Sequence, residues 1–483
     1  MNKKLMALAV ASAVTAPGLA LAQVPTTLTA QPGVASNAGI TLYGRVDETI
    51  MYDQFKNAAA TVTAGTPAAK DVTKGDVYSP GNAMGVKGRE DLGGGTAAWF
   101  QLEIGVWPSE RLDTSTITGN NWGGRNSGIG LSSGAGDIMI GNWDTPYKQT
   151  YFVWNSLTSG GFSAGGITMG MADSTGALNN VACTNAVTLG TGTAGSVTTA
   201  AGGTCVTEAT ISATAWSRRV NNSVQYWSPV MAGFQFKLMT AMAPYQSPSS
   251  GPSYQNALLK PKEYSANATW ARGPLSLAVG YDFHQGLRTA LVPGAGNTFP
   301  GAVPSVAAGA PDAVKDTAVQ VAGKWNFGPG EIGVGYEQIS YGDANSGVTG
   351  QPNAAMKVPA YVVNGRFNAG PGAIWASYSG TDAKSCTQVG AASAAVGIGS
   401  AVCGAKAKMY SVGYDYILSK RTKMYVAYNK IDNGTVTNGA GAVQGSSYYY
   451  IAGPAANQGN GGTGALSAGT DVTTFGVGIQ HVF

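Results

Sequence analysis

The sequence is poor in charge. Aspartate, glutamate, lysine and arginine make up 11% of its 483 residues, against roughly 25% in an average soluble domain. With 44% hydrophobic residues and a mean hydropathy near zero, it is not a chain held unfolded by high charge and low hydrophobicity. The net charge is only +4, and the basic residues form no dense run. The clustered positive charge that a nucleic-acid partner demands is therefore missing. Histidine occurs twice, at His284 and His481, and neither stands beside a cysteine, which removes the usual Cys/His zinc site. No nucleophile elbow of the Gly-x-Ser-x-Gly type and no phosphate-cradling loop in a strand–turn–helix context is found, and no cofactor is expected. Glycine is plentiful, with 70 residues, but it follows neither the three-residue period of collagen nor the fixed repeat of a solenoid.

The N-terminus has the layout of a secretory signal. Lys3 and Lys4 are followed by an apolar stretch from Leu5 to Val14 and by small residues ending at Ala20-Leu21-Ala22. This predicts removal of residues 1–22 and a single mature domain over 23–483. The apolar core is too short to span a bilayer, and Pro17 and Gly18 interrupt its end. Further on, Ala391 to Val402 comes nearest to a membrane helix, but it is short and made of Ala, Gly, Ser and Val. The exported chain is then either soluble or a barrel that crosses the outer membrane, because only helices and closed barrels satisfy every backbone polar group in lipid.

Four cysteines fall into two local pairs. Even numbers and an exported context favour disulfides. The short spacings favour Cys183–Cys205 and Cys386–Cys403 over the two other pairings, each pinning a long surface loop.

Residues that alternate apolar and polar recur along the chain. Ile40, Leu42 and Val46 alternate with Thr41, Tyr43, Arg45 and Asp47, and Phe100, Leu102 and Ile104 with Trp99, Gln101 and Glu103. This is the period of strands with one apolar face. About sixteen such runs are counted, near 40–53, 83–91, 95–107, 125–133, 136–143, 214–228, 232–243, 263–272, 275–285, 316–327, 330–341, 359–368, 372–380, 406–417, 421–431 and 471–483. Tight turns of Gly, Pro and Ser, such as Arg272-Gly273-Pro274 and Ala369-Gly370-Pro371, alternate with long polar segments such as 174–213, 286–315 and 432–470. An even strand number, with short turns at one end and long loops at the other, describes an all-β transmembrane antiparallel barrel. The last strand ends on Phe483, which would then stand at a membrane interface among other aromatics.

Five segments resemble a general porin of Gram-negative bacteria, of the type common in β-proteobacteria. Ile40-Thr41-Leu42-Tyr43-Gly44-Arg45-Val46-Asp47 resembles the first strand of that family. The stretch from Gly85 to Gly95, running on to Phe100-Gln101-Leu102-Glu103, resembles its second hairpin and is the most specific match. Asn221 to Tyr226 with Ser228-Pro229, Tyr414 to Thr422, and Gly476 to Phe483 resemble a middle turn, the last short turn and the family ending. The resemblance implies a sixteen-stranded barrel, a homotrimer in outer-membrane lipid, and a third long loop folded into the lumen. It implies passage of small hydrophilic solutes and ions by passive diffusion.

By parity in such a barrel, Arg45, Asp47, Gln101 and Glu103 face the lumen. Arg125 matches the family position of a constriction arginine, and Arg219 matches another; Arg218 is next to it with opposite parity, while Ser223 and Gln225 share the parity of Arg219. The family usually has an arginine where this chain has Asn142. Its third loop normally carries carboxylates, whereas between Asp144 and Asp173 this chain has none. In their place stand Tyr147, Lys148, Tyr151, Phe152, Trp154 and Phe162. With the acidic half of the transverse field weak, an anion preference is expected, opposed by Asp47 and Glu103. The loop aromatics can either line the aperture or pack the loop on the wall, and Trp99 can belong to an aromatic girdle. Two rival readings share the strands. An outer-membrane enzyme would draw on His284 and Asp282, and an adhesin or structural barrel would have a plugged lumen.

Overall fold

The computed structural model describes residues 39–56, 71–79, 82–106, 108–109, 123–155, 162, 187–189, 197–199, 216, 219–242, 262–285, 315–341, 356–382, 406–437, 443–445 and 471–483. The segment 1–22, the four cysteines and Arg218 lie outside the described residues.

The chain lays down its strands in order around one sheet. They are β1 (Gly39–Lys56), β2 (Val72–Tyr78), β3 (Ala83–Gly93), β4 (Thr96–Gly105), β5 (Ser127–Ser133) and β6 (Gly136–Asp144). Then come α1 (Pro146–Trp154), a separate hairpin of β7 (Val187–Leu189) and β8 (Val197–Thr199), β9 (Arg219–Trp227), β10 (Phe234–Met242), β11 (Lys262–Arg272), β12 (Leu275–Gln285) and β13 (Lys315–Asn326). The rest are β14 (Gly330–Tyr341), β15 (Met356–Ala369), β16 (Gly372–Asp382), β17 (Lys406–Ile417), β18 (Thr422–Asn433), a second hairpin of β19 (Thr435–Thr437) and β20 (Val443–Gly445), and β21 (Asp471–Val482). All pairings are antiparallel, and from β3 onward each barrel strand pairs with the next barrel strand in sequence. β1 pairs along one edge with β21, from Arg45–Val482 to Lys56–Asp471. Along its other edge it pairs with β3 through residues 39–45 and with β2 through residues 49–55. β2 and β3 are thus two pieces of the same staircase, and sixteen strands close the barrel. Closure leaves no free edge for edge-to-edge association. Phe483 fastens the seam, its N–H donating to the Gly44 carbonyl at 3.0 Å and its carbonyl accepting from the Gly44 N–H at 3.1 Å.

The barrel strands agree with the alternation in the sequence except at β2 and at the start of β9, and the short hairpins β7–β8 and β19–β20 lie in segments expected to be long polar connections. β2 was not expected, because Val-Thr-Lys-Gly-Asp-Val-Tyr has too few apolar residues to show a period. The run expected over 214–228 is described as a strand only from Arg219. The short turns work as their residues demand: Gly273 and Gly370 both take φ of 58°, a left-handed conformation open to glycine.

The two faces of the sheet are chemically opposite. Outward residues such as Ile129, Ile138, Ile140, Leu238, Val321, Val363, Val412 and Ile479 are large, apolar and exposed. In water, a belt of this size would drive aggregation. In lipid it is the wetted surface. Aromatics border it on both sides. Phe234, Trp325, Phe367, Tyr416 and Phe483 lie toward the short turns, and Tyr281, Tyr336, Tyr361, Tyr410, Tyr428 and Phe475 toward the long connections. Tyr410 to Tyr416 is six residues and Phe475 to Phe483 is eight, about 20–26 Å along a strand, matching an apolar band of about 25 Å. Among the described residues no helix is long and apolar enough to cross a membrane.

Inward residues are polar or pack in small clusters. Trp99 is one of these and not a girdle residue: its ring lies over Gly130 on the inner wall, 5.9 Å from Trp143 and 6.2 Å from Trp227. It has the parity of Gln101 and Glu103, so the alternation that places those two inside also places it there.

Candidate functional site

The chain leaves the wall after Asp144 and turns inward. Thr145 caps α1, its Oγ1 accepting the Lys148 N–H at 3.0 Å, and Pro146 occupies the first turn, where a missing N–H costs nothing. The helix ends at Asn155, whose N–H bonds the Tyr151 carbonyl at 3.1 Å. No helix was expected here. Nine residues rich in aromatics and Thr carry little helical period, although the Thr-Pro start is a legible signal.

α1 lies inside the barrel against the inner faces of β10 to β15. The Tyr147 N–H donates to Ser265 Oγ at 2.9 Å, and the Tyr147 hydroxyl donates to Glu337 at 2.5 Å. Asn267 donates to the Pro146 carbonyl at 2.7 Å, Lys237 to Gln149 at 2.6 Å, and Asn364 to the Trp154 carbonyl at 3.1 Å. Two inward glycines let the helix come this close. A Cβ on Gly280 would collide with Thr150 Oγ1, and one on Gly333 with the Trp154 carbonyl. Trp154 is buried with Ala278, Ala322 and Val362, and Tyr151 packs against that cluster. Tyr147 and Trp154 thus hold the helix to the wall and do not face its free side. Lys148 and Phe152, one turn apart, project from the other face. Farther along, Phe162 is buried among Met51, Trp375, Met409 and Tyr425, over Gly476. The loop is therefore held on β10–β15 at one point and on the wall around β1, β18 and β21 at another.

A ladder of alternating charge stands where α1 begins. Lys148 Nζ is 2.7 Å from Asp144 Oδ1, and Arg219 Nε is 3.4 Å from the same oxygen. Asn126 bridges them, donating to Asp144 at 2.8 Å and accepting from Arg219 at 2.9 Å. Beside it, Arg125 Nε is 2.5 Å from Glu103, whose other oxygen accepts from the Tyr43 hydroxyl at 3.1 Å. Arg45 lies buried near Asp47, and Asp47 accepts 2.6 Å bonds from Tyr425 and Gln480. Four cations (Arg45, Arg125, Lys148, Arg219) face three carboxylates (Asp47, Glu103, Asp144), and nearby Lys237, 4.8 Å over the Trp227 ring, adds a cation that is matched by Asp137. Burial pushes the Lys148 ammonium down to about 8, against the pull of Asp144.

The sequence-derived residues thus fall into two groups. Arg45, Asp47, Glu103, Arg125, Lys148 and Arg219 converge on this ladder. Gln101 and Gln225 brace it from behind, donating to the Asn126 carbonyl at 3.0 Å and the Asp144 carbonyl at 3.1 Å. Asn142, where the family usually has arginine, donates to the Gly123 and Arg125 carbonyls at 2.9 and 3.3 Å and so fixes the segment that presents Arg125. Asn126, Lys237 and the Asp47 donors were not foreseen. Asn126 follows Arg125 directly, but nothing in the sequence shows that its amide bridges two charges across the fold. His481 is at the rim, 2.9 Å from Thr422 Oγ1. His284 is buried on the inner wall beside Asp282 and Glu263, its ring stacked on Trp216, which in turn lies 6.4 Å from the Tyr147 ring.

A closed antiparallel barrel with an apolar belt, two aromatic girdles and a helix-bearing loop held inside defines an outer-membrane barrel with a narrowed lumen. The profile of the Gram-negative porin family matches residues 7–437, and the chain belongs to that family. Its place is the outer membrane of a Gram-negative bacterium. The major outer membrane protein P.IB of Neisseria gonorrhoeae is 34% identical over 140 residues, which are 28% of this chain and 36% of that protein. The P.IB protein of Neisseria lactamica is likewise 34% identical, over 137 residues, 28% of this chain and 36% of its own. The match thus spans about a third of the length of these relatives. Among solved structures, an anion-selective porin from Comamonas acidovorans superposes with a TM-score of 0.56 at 20% identity, covering 92% of this chain and all of that one. OmpT of Vibrio cholerae gives 0.52 at 12% identity, covering 94% and 100%. At these identities the likeness shows the fold.

Proposed function

We propose that the barrel is a water-filled channel, not an enzyme, through which small hydrophilic solutes and ions pass down their gradients, and that it prefers anions. The observation that carries the preference is the surplus of cations over carboxylates where α1 enters the lumen. Charge at the narrowest zone sets which ions find entry favourable. The Comamonas porin, described as anion-selective, has the same fold, but the argument rests on the charges of this chain. Arg125, Arg219 and Lys148 supply the field. Asp144 and Glu103 hold those cations in place and reduce the surplus without cancelling it. Phe152 gives the free face of α1 an apolar edge beside Lys148, which suits solutes carrying both a carboxylate and a ring. Export with loss of residues 1–22 and assembly as a homotrimer in outer-membrane lipid complete the reading.

The test is ion conductance of the refolded protein in a planar bilayer under a salt gradient. Stable steps in groups of three with a reversal potential favouring chloride are expected. A potential favouring potassium would overturn the anion preference, and an absence of steps from folded protein would overturn the open channel.

A further inference from the structure

We propose that Glu263, Asp282 and His284 form a binding site for a divalent transition-metal ion, of the zinc, cobalt or nickel type, on the inner wall of the barrel. The site comes from strand register. Glu263 pairs directly with His284 across β11 and β12, and Asp282 stands two residues before His284 on the same face. All three side chains are buried, with relative exposures of 0, 0 and 1%. His284 Nε2 is 3.7 Å from Glu263 Oε1 and 3.6 Å from Asp282 Oδ1, and one donor atom from each residue lies within 4.8 Å of the others. An ion held at roughly 2.0–2.2 Å by nitrogen and oxygen ligands sets those atoms about 3.3–3.5 Å apart. Small side-chain adjustments would therefore bring the group to coordination distance.

The chemistry of the donors narrows the ion. One imidazole with two carboxylates, leaving a position open for water, suits borderline metals and falls short of the six to eight oxygens that calcium takes. Two further features resemble an outer shell. The Trp216 ring is stacked on the imidazole at 3.9 Å and 4°, covering it. Asp316 pairs with His284 from β13 and is also buried, which places a carboxylate beside the ligand ring. The position gives the ion a consequence. Asp282 pairs with Ser265, the residue that accepts the Tyr147 N–H at the start of α1. A bound ion would stiffen the wall on which the lumen helix is docked.

The probe is zinc chloride, titrated calorimetrically into the folded full-length chain in detergent at neutral pH. Folding is checked by the retarded migration of the unheated barrel on a gel. One zinc ion per chain is expected, with a rise in the thermal midpoint as zinc increases. Cobalt should give a visible absorption band of a nitrogen–oxygen site. H284Q, E263Q and D282N should each weaken zinc by at least tenfold, and H481Q should leave it unchanged. If H284Q fails to fold, D282N and the cobalt band carry the decision. Zinc uptake that survives H284Q belongs to the cysteines or to His481 and overturns the proposal. So does folded protein that takes up no zinc, since the carboxylates are then balanced by a cationic side chain.

Discussion

At the scale of single residues, the ladder works by small surpluses. Each of Arg125, Arg219 and Lys148 is held by a carboxylate with an exposure of 1%, Asp144 being shared by Arg219 and Lys148, so removing one cation lowers the positive surplus while every carboxylate stays. In water, two unit charges about 4 Å apart interact by about 1 kcal/mol, near fivefold in occupancy. Arg219→Gln is therefore expected to reduce the anion-to-cation permeability ratio by up to about fivefold, read from the reversal potential, while Gln101→Ala, behind the ladder, should change it far less. Lys148 adds a pH dependence. Its ammonium is pushed down to about 8; below that pH the charge is present, and above it the charge is lost. Anion preference should thus fall as pH rises from 7 to 9. Lys148→Arg, charged throughout, should flatten that profile; an equal fall in both proteins would exclude Lys148 as its source. Much of this was legible in the sequence, because a two-residue period fixes which side chains share a face, and Arg45, Asp47, Glu103 and Trp99 all follow it. What was not legible is pairing across distance. That Asn126 joins Asp144 to Arg219, or that Tyr425 donates to Asp47 from 378 residues away, depends on barrel closure and leaves no local trace.

At the scale of elements, α1 is the part that the fold had to make room for. Its carbonyl end rests on Gly333 and its middle on Gly280, two of the few places where an inward strand position carries no side chain against the helix. Gly333→Leu should lift the C-terminal end of α1 off the wall. Overpacking of this kind costs about 1–3 kcal/mol, and the same displacement should change single-channel conductance and raise its open-channel noise. A variant with wild-type current and a lower melting temperature would mean that the wall yields instead of the helix. Phe162 tests the other attachment. Phe162→Ala empties the pocket among Met51, Trp375, Met409 and Tyr425, and noise without a change in selectivity is expected, since the charged ladder is at the helix start. The strands were readable because they are long and alternate. α1 and β2 were not, since nine and seven residues are too few to establish a period against their own composition.

At the scale of the whole molecule, the barrel is a cylinder that water wets inside and lipid wets outside, and the native lysines show where that outside changes. On β17 the outward residues run Lys408, Tyr410, Val412, Tyr414, Tyr416, with Val412 between the two aromatic girdles and Lys408 just beyond one of them. A lysine at 408 keeps its ammonium in the hydrated headgroup region. The same lysine four residues on would have to carry it into hydrocarbon or bend it out along its stem. Charged substitutions on the lipid face cost about 2–4 kcal/mol at the bilayer midplane and about 0–1 kcal/mol near the interface. Val412→Lys is therefore expected to destabilise the barrel in lipid vesicles by about 2 kcal/mol or more, and Lys408→Val to be near neutral, both measured by reversible guanidinium unfolding. In detergent micelles, which deform around a charge, the penalty of Val412→Lys should shrink. Equal penalties at the two positions would place the membrane elsewhere on the cylinder, and with it the level at which the inner ladder sits.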